Sequence, residues 1–363
     1  MKVCHVINSL NRGGAESHLL ELVKAQIDEQ FIVEIVVIGP DDPNIFSIKK
    51  DLLDAGALIY RLNGPRMFNI VSYLKLRKLI KVNEYNVVHS HQPRSDFMVF
   101  LTKKFLFNLF GFKWVVSIHG KYDSYLPKDY KKNFKLIFFT LLVKAWEDAD
   151  SVIVISNEVK TWLNNHTKKI SPTVVNYWIS KKIVKEKKIY NDITIGFLGR
   201  LNKNKGIEDL IQALNQINFP FKFTIGGYGE IQYINFLKSM MNNNLLSVSY
   251  FEGYVDNQNK FFEEIDIFVF PSYSEGLGLV LLEAISFNKI CITRNVLPMN
   301  QFISKHSGYL FNDVEDLKMQ IIQASKDIRD SEIKKFKIQE LKKILEIYNI
   351  DAVFPKILDV YKS

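Results

Sequence analysis

Ile267-Phe268-Val269-Phe270-Pro271-Ser272-Tyr273-Ser274-Glu275-Gly276-Leu277-Gly278-Leu279-Val280-Leu281-Leu282-Glu283 holds the repeating unit of this chain. An apolar strand, Ile267–Phe270, runs through a turn made tight by Gly276 and Gly278 into an apolar helix. The first amides of such a helix have no partner within it and point at whatever lies in front, which makes the turn a natural phosphate site. The plainer alternative is an ordinary strand-turn-helix with two surface glutamates.

Outward from this stretch, short β-rich runs alternate with longer helical patterns to both ends. Lys2–Ile7, Ile32–Ile38, Leu58–Leu62, Asn86–His89, Trp114–Ile118 and Ser151–Ile155 read as strands, with helical spacing over Glu16–Gln26 and Asn69–Val82. The alternation resumes with Ile193–Leu198, Lys222–Ile225, Val248–Phe251, Ile267–Phe270 and Ile290–Thr293. Strands alternating with helices imply parallel sheets joined by crossover helices. No short repeat underlies the two series. Ile179–Asp192, lysine-rich and without glycine, reads as the linker between them. The expectation is an α/β chain of two facing, Rossmann-like, doubly wound domains. The first spans 1–180, the second 181–345, and a C-terminal helix spans 346–363. Ligands of such sheets bind beyond the carboxyl ends of the strands, so a cleft between the domains is the expected site.

Composition narrows the class. With 363 residues, 47% hydrophobic and 24% charged, the chain has ample material for two cores and is not disordered. Cys4 and Cys291 each sit in a strand-like apolar run and read as reduced core residues, as in a reducing compartment. The N-terminus does not read as a signal peptide, and apolar stretches such as Leu136 to Val143 fall far short of the roughly 20 residues a membrane helix needs. A cytoplasmic protein is expected. Its net charge of +9 favours an anionic partner: nucleic acid, acidic lipid or a phosphorylated small molecule.

Glu275 and Glu283 fit a hydrolase pair poorly. Eight residues along one helix would place them about 12 Å apart, against roughly 5–9.5 Å in glycosidases. With Glu275 in the loop and Glu283 in the helix, the two would instead grip separate parts of one ligand. Carboxylates suit sugar hydroxyls because each accepts two hydrogen bonds. Upstream, Gly199-Arg200-Leu201-Asn202-Lys203-Asn204-Lys205-Gly206 follows the strand Ile193–Leu198, and Arg200 with Lys205 could neutralise a diphosphate. Gly226-Gly227-Tyr228-Gly229 ends the next strand in a turn too short for a dinucleotide fingerprint. Asn11-Arg12-Gly13-Gly14-Ala15-Glu16 follows the first strand, and its glycines would admit a ligand close to the backbone. His89-Ser90-His91 and His119-Gly120 stand at strand ends, where structural, metal-binding and ligand-binding roles are all open; no Cys, Asp or Glu completes a metal set at suitable spacing. Asp148-Ala149-Asp150 reads as a cap or packing element before the strand Ser151–Ile155.

Taken together these strings resemble the family 4 retaining glycosyltransferases of the GT-B fold. The resemblance implies that Glu283 holds the ribose hydroxyls of a nucleotide-sugar donor, that Glu275 contacts the transferred sugar, and that the Gly276-Leu277-Gly278-Leu279 backbone meets the diphosphate. It implies further that Gly199, Arg200 and Lys205 stabilise the leaving diphosphate and that Gly227-Tyr228 lies beside the base. In the first domain, Gly13 and Gly14 would approach the sugar diphosphate and His119 the sugar pocket, with Glu16 and His91 on the acceptor side. The reaction would be retaining transfer from a UDP- or GDP-linked sugar to a glycan or lipid-linked acceptor in bacterial surface polysaccharide assembly. No cofactor and no metal is needed on this reading. The rivals are an epimerase of the same architecture and a non-catalytic subunit.

Two features lie outside the shared pattern. Val296-Leu297-Pro298-Met299-Asn300 stands where the family commonly has a glycine pair and an acid after the proline, so donor preference is open there. Between Lys103 and Lys144, nine lysines against two aspartates are interleaved with aromatics. That mixture suits either peripheral contact with an anionic inner membrane or surface helices with aromatics inward and lysines outward. No nucleic-acid recognition element stands out.

Overall fold

A computed structural model describes residues 1–41, 46–62, 64, 69–106, 111–122, 132–179 and 192–363, the side chains of 105–106 and 132–135 excepted. The chain divides into two compact units, Met1–Tyr177 with Val353–Ser363, and Trp178–Ala352. The linker expected over Ile179–Asp192 lies, apart from its ends, outside the described residues, as do 107–110 and 123–131 of the stretch 103–144.

The first unit is built on seven strands: β1 (Lys2–Ile7), β2 (Ile32–Val37), β3 (Leu58–Arg61), β4 (Val87–Ser90), β5 (Lys113–Ile118), β6 (Ser151–Val154) and β7 (Thr173–Val174). Their order is β3-β2-β1-β4-β5-β6-β7 and every pairing is parallel. The second unit has β8 (Ile193–Leu198), β9 (Phe221–Gly226), β10 (Ser249–Gly253), β11 (Ile267–Phe270), β12 (Ile290–Arg294) and β13 (Tyr309–Phe311), in the parallel order β10-β9-β8-β11-β12-β13. Both sheets are doubly wound. Sequence patterning missed β7 and β13, two and three residues long, because so short a run shows no periodicity.

Parallel strands with helices on both faces are buried on both faces, which is why β11 (IFVF) and β12 (ICITR) are fully buried without alternation. In the second unit Ile193, Ile195 and Phe197 of β8 pack in one core with Leu210, Ile211 and Leu214 of the helix Ile207–Leu214, and with Leu317 and Ile321 of the helix Val314–Asp327. Each such fully buried side chain stabilises the fold by roughly 1.5–3 kcal/mol. In the first unit the C-terminal helix Ile350–Lys362 buries Val353, Phe354, Ile357, Val360 and Tyr361. Cys4 and Cys291 are buried free thiols in separate units.

The strand order of each sheet reverses direction once, between β1 and β4 and between β8 and β11. The loops that leave these strands at their carboxyl ends are where a doubly wound sheet takes its ligand.

Candidate functional site

At the switch point of the second unit, β8 delivers Gly199–Gly206 and β11 delivers Pro271–Gly278. Lys205 ends the short 3₁₀ turn Lys203–Lys205, and its Nζ lies 2.5 Å from Glu275 Oε1 and 5.7 Å from the centre of the Phe270 ring. Backbone ties hold the two loops together: Tyr273 N donates to Asn204 O at 2.9 Å, and Asn204 Nδ2 to Ser274 O at 3.0 Å. The ion pair is thus set by the loops rather than by two free side chains. Arg200 is exposed; its Nη2 donates to Tyr228 Oη at 3.2 Å, with the guanidinium 5.6 Å from that ring.

Two glycines are required here for different reasons. Gly227 has φ +137°, and a Cβ there would collide with the Gly199 carbonyl, so the turns after β8 and β9 pack backbone against backbone. Gly278 caps the helix Leu279–Ser286 at φ +88°, a left-handed conformation that L side chains rarely adopt. It turns the start of that helix beside Glu275. Glu283 is half-buried one turn into the helix.

Behind this rim sits a residue the sequence did not single out. Arg294, at the end of β12, is buried; it pairs with Asp209 and donates through Nε to Pro271 O at 3.1 Å and through Nη1 to Asn312 O at 3.3 Å. Its guanidinium stacks 4.1 Å from the Tyr273 ring centre, and Tyr273 Oη donates to Asp209 at 2.7 Å. One cation therefore fixes the exit of β11, where the Glu275 loop begins. In the loop that departs from the family pattern, Asn300 Nδ2 donates to Asn295 Oδ1 and Asn295 Nδ2 to Asn312 Oδ1, both at 3.1 Å.

In the first unit Gly13 precedes the helix Gly14–Asp28. A Cβ on Gly13 would come within 2.6 Å of Glu16 Oε2. Glu16 is buried, accepting from Gln92 Nε2 at 2.7 Å, while Gln92 Oε1 accepts from Asn8 N at 3.1 Å. Gln92, which the sequence did not single out, thereby ties the loop after β1 to the one after β4.

His5, His89 and His91 share one face of the sheet. His5 and His89 are register partners on β1 and β4, and the period-two spacing of a strand brings His91 to the same side. His5 Nδ1 lies 2.8 Å from His91 Nε2, His91 Nδ1 lies 3.2 Å from His119 Nε2, and His119 Nδ1 meets the Tyr177 hydroxyl. His5 Nε2 meets Gln26 Oε1 at 2.8 Å, and His89 meets Tyr361 Oη and Ser117 Oγ, each at 2.7 Å. His18 stacks on Tyr177 with ring centres 4.1 Å apart. Burial pushes His5 down to about 4 and His119 to about 3, and holds His18, His89 and His91 well below the usual imidazole range, so all are neutral at pH 7. Ligand atoms of His5, His89 and His91 lie within 4.8 Å of one another, close enough to suggest a metal. Yet all six of their ring nitrogens already face a side-chain partner, so a metal would have to displace those bonds.

The remaining sequence candidates are accounted for locally. Asp150 Oδ2 accepts from Trp114 N at 2.6 Å and pairs with Lys103, and Asp148 pairs with Lys104. Within 103–144, Trp114 and Phe138 are buried, whereas Leu136, Ile137 and Leu141 are exposed.

A sequence profile described as "Glycosyltransferase Family 4" matches residues 12–177, and one described as "Glycosyl transferases group 1" matches residues 179–338. The O-antigen biosynthesis glycosyltransferase WclY of Escherichia coli is 24% identical over 305 residues, covering 82% of this chain and 80% of its own. The capsular polysaccharide biosynthesis glycosyltransferase CapM of Staphylococcus aureus is 28% identical over 204 residues, covering 49% of this chain and 53% of its own. Among solved structures, Anabaena Alr3699/HepE in complex with UDP and glucose matches with a TM-score of 0.83 at 16% identity, over 100% of this chain and 99% of the other. The two parallel-sheet units have the GT-B fold.

Proposed function

Because the chain belongs to glycosyltransferase family 4, we propose that it transfers a sugar from a UDP-linked or GDP-linked donor to a hydroxyl of a glycan or lipid-linked acceptor in surface polysaccharide assembly. The observation that carries this reading is the Lys205–Glu275 pair beside the Gly278 helix start, at the switch point of the second sheet. A diphosphate that takes the Lys205 ammonium releases Glu275 to accept from sugar hydroxyls. Arg200, Lys205 and the amides from Gly276 to Leu279 then meet the charge that grows on the leaving diphosphate, so no metal is needed. Glu283 holds the ribose, Tyr228 lies beside the base, and Gly199 and Gly227 keep the two turns in contact. Gly13, Gly14 and His119 serve the sugar and acceptor, backed by Glu16 and His91. The anomeric configuration is retained. UDP is favoured over GDP by the complexes of HepE, and polysaccharide assembly by WclY and CapM.

A peripheral membrane station has its own support. On the helix Ile70–Asn83, exposed Ile70, Val71, Leu74 and Val82 share the surface with Lys75, Lys78 and Lys81 and no acid. On Lys132–Glu147 the exposed side chains among the described residues are Leu136, Ile137, Thr140, Leu141 and Lys144. Aliphatic and cationic groups mixed in this way suit anionic headgroups. Among the described residues no helix is long and apolar enough to cross a membrane.

Calorimetric titration with UDP, GDP, ADP and CMP, with and without EDTA, tests the donor site. One nucleotide should bind selectively and without regard to EDTA. Glu283→Ala should lose that binding. Lys205→Ala should keep most of it and slow transfer by roughly 10²–10³-fold, as loss of a transition-state donor does. Parent-like turnover by both variants would overturn the site; an epimerised donor without transfer would favour the epimerase.

A further inference from the structure

The buried histidines form a hydrogen-bond chain whose direction is set at one end. Gln26 Nε2 donates to Tyr361 Oη at 3.1 Å, which leaves Gln26 Oε1 to accept from His5 Nε2–H. A neutral imidazole carries a single N–H, so His5 Nδ1 accepts from His91 Nε2–H. The same rule passes along: His91 Nδ1 accepts from His119 Nε2–H, and His119 Nδ1 accepts from the Tyr177 hydroxyl. A branch runs from the Tyr361 hydroxyl to His89 Nδ1, and from His89 Nε2–H to Ser117 Oγ.

We propose that Gln26, His5 and His91 are positioning residues for His119: their chain admits one tautomer at each ring, and Gln26, three hydrogen bonds away, dictates that His119 is the Nε2–H form with Tyr177 bound to Nδ1. Reversing the chain moves no heavy atom. Each ring would switch to Nδ1–H, and His119 would donate to Tyr177 instead of accepting from it. The reversed chain would leave Gln26 Oε1 facing a bare His5 Nε2, two acceptors with no proton between them. Only the carboxamide at the end forbids it. Buried polar groups left facing like partners cost about 1–3 kcal/mol each, so the preference is strong while Gln26 is present. The consequence for turnover rests on the assignment of His119 to the sugar side; the tautomers do not.

The test is long-range ¹H–¹⁵N correlation spectroscopy of the full chain with ¹⁵N-labelled histidine, its seven histidines assigned by single His→Gln variants. At pH 7, His5, His91 and His119 of the parent should all be neutral Nε2–H. Gln26→Leu should convert His119 wholly or partly to Nδ1–H, although residue 26 does not touch it. Gln26→Glu, which still accepts from His5, should restore Nε2–H. Ser117→Ala removes only the last acceptor of the branch, beyond His89, and should leave His119 unchanged, which controls for general damage to the core. Nδ1–H or a mixture at His119 in the parent, or an unchanged His119 in folded Gln26→Leu, would overturn the proposal. For turnover, Gln26→Leu should lower kcat by roughly 10- to 100-fold with nucleotide Kd unchanged, as losing the partner of a site ligand does, and Gln26→Glu should recover it. If the tautomers switch while kcat holds, the chain stands and the role of His119 in transfer falls.

Discussion

In the first unit the histidines gathered at the switch point are uncharged and sealed: His5, His89 and His91 are 0–1% exposed, and each bonds to another neutral group. At the corresponding strand ends of the second unit stand Arg200, Lys205 and Glu275, charged and open to solvent in part or in full. The first arrangement avoids the desolvation of ions and gains rigidity from geometry. The second accepts that cost at buried Arg294, and keeps Arg200, Lys205 and Glu275 where a ligand can reach them. The difference separates two tasks that one set of residues cannot perform together. On the proposed function, one unit fixes orientation and the other answers charge.

Acid should break the first arrangement and spare the second. In the unfolded chain a histidine binds a proton near pH 6.5, whereas in the fold His5 resists to about 4 and His119 to about 3. Unfolding therefore takes up protons in that window. The stabilisation is fully present above pH 6.5 and is lost as the pH falls toward the folded-state values, at about 1.4 kcal/mol per pH unit for each ring. His5 alone accounts for roughly 3 kcal/mol by pH 4. His18, His89 and His91 act in the same direction. Asp96, buried in the same unit and pushed up to about 7, acts in the other: its contribution is complete below the usual carboxyl range and is lost as pH rises through 7. It offsets one ring of the five. Hydrogen exchange, corrected for its intrinsic pH dependence, should show β1, β4 and β5 losing protection between pH 6.5 and 5 while β8 and β11 keep theirs. Equal or earlier loss in β8 and β11 would end the distinction.

The second unit should instead be sensitive to removal of Arg294, the buried cation behind its site. Arg294→Met leaves Asp209 facing only the Tyr273 hydroxyl and frees the Pro271 carbonyl. Breaking such a pair costs about 2–4 kcal/mol, since the orphaned carboxylate stays largely buried. Urea unfolding should register that loss with little dependence on salt. The Glu275 loop should loosen as well, so nucleotide affinity should fall with stability. A variant that loses stability but binds nucleotide like the parent would show that the clamp does not position the loop.

The same contrast explains what could be read from the sequence. Gly199 to Lys205 and Glu275 to Glu283 each lie within one strand-turn-helix, where apolar runs and glycines announce the geometry locally. The strands themselves were readable for that reason, except β7 and β13. The chain of the first unit had no such local sign. His5 and His91 are 86 residues apart, and Gln26 and Tyr361 are 335 apart. One hint was present: a histidine in the middle of the apolar run Val3-Cys4-His5-Val6-Ile7 must find a partner when buried. Gln26 and Tyr361 gave none, because a polar residue on an amphipathic helix reads as surface until the sheet it packs on is known. Arg294 was hidden in the same way, as a strand-end cation whose partners, Pro271, Asp209 and Asn312, come from three other segments.

The smallest effect sharpens the comparison from inside the first unit, which does carry charge pairs, at its outer surface. Asp150 Oδ2 accepts from the Trp114 amide and pairs with Lys103, both at 2.6 Å. If ions matter little to this unit, Lys103→Ala should cost only about 0.2–1 kcal/mol, and 1 M salt should erase that cost. Asp150→Ala also strips the amide of its acceptor at the start of β5, so it should cost about 1–2 kcal/mol with a remainder that salt leaves in place. Asp150→Asn should fall between them, because a carboxamide oxygen still accepts from the amide. Equal costs for Lys103→Ala and Asp150→Ala would mean that the ion pair, not the hydrogen bond, is what the aspartate contributes, and that charge stabilises the first unit as it does the second.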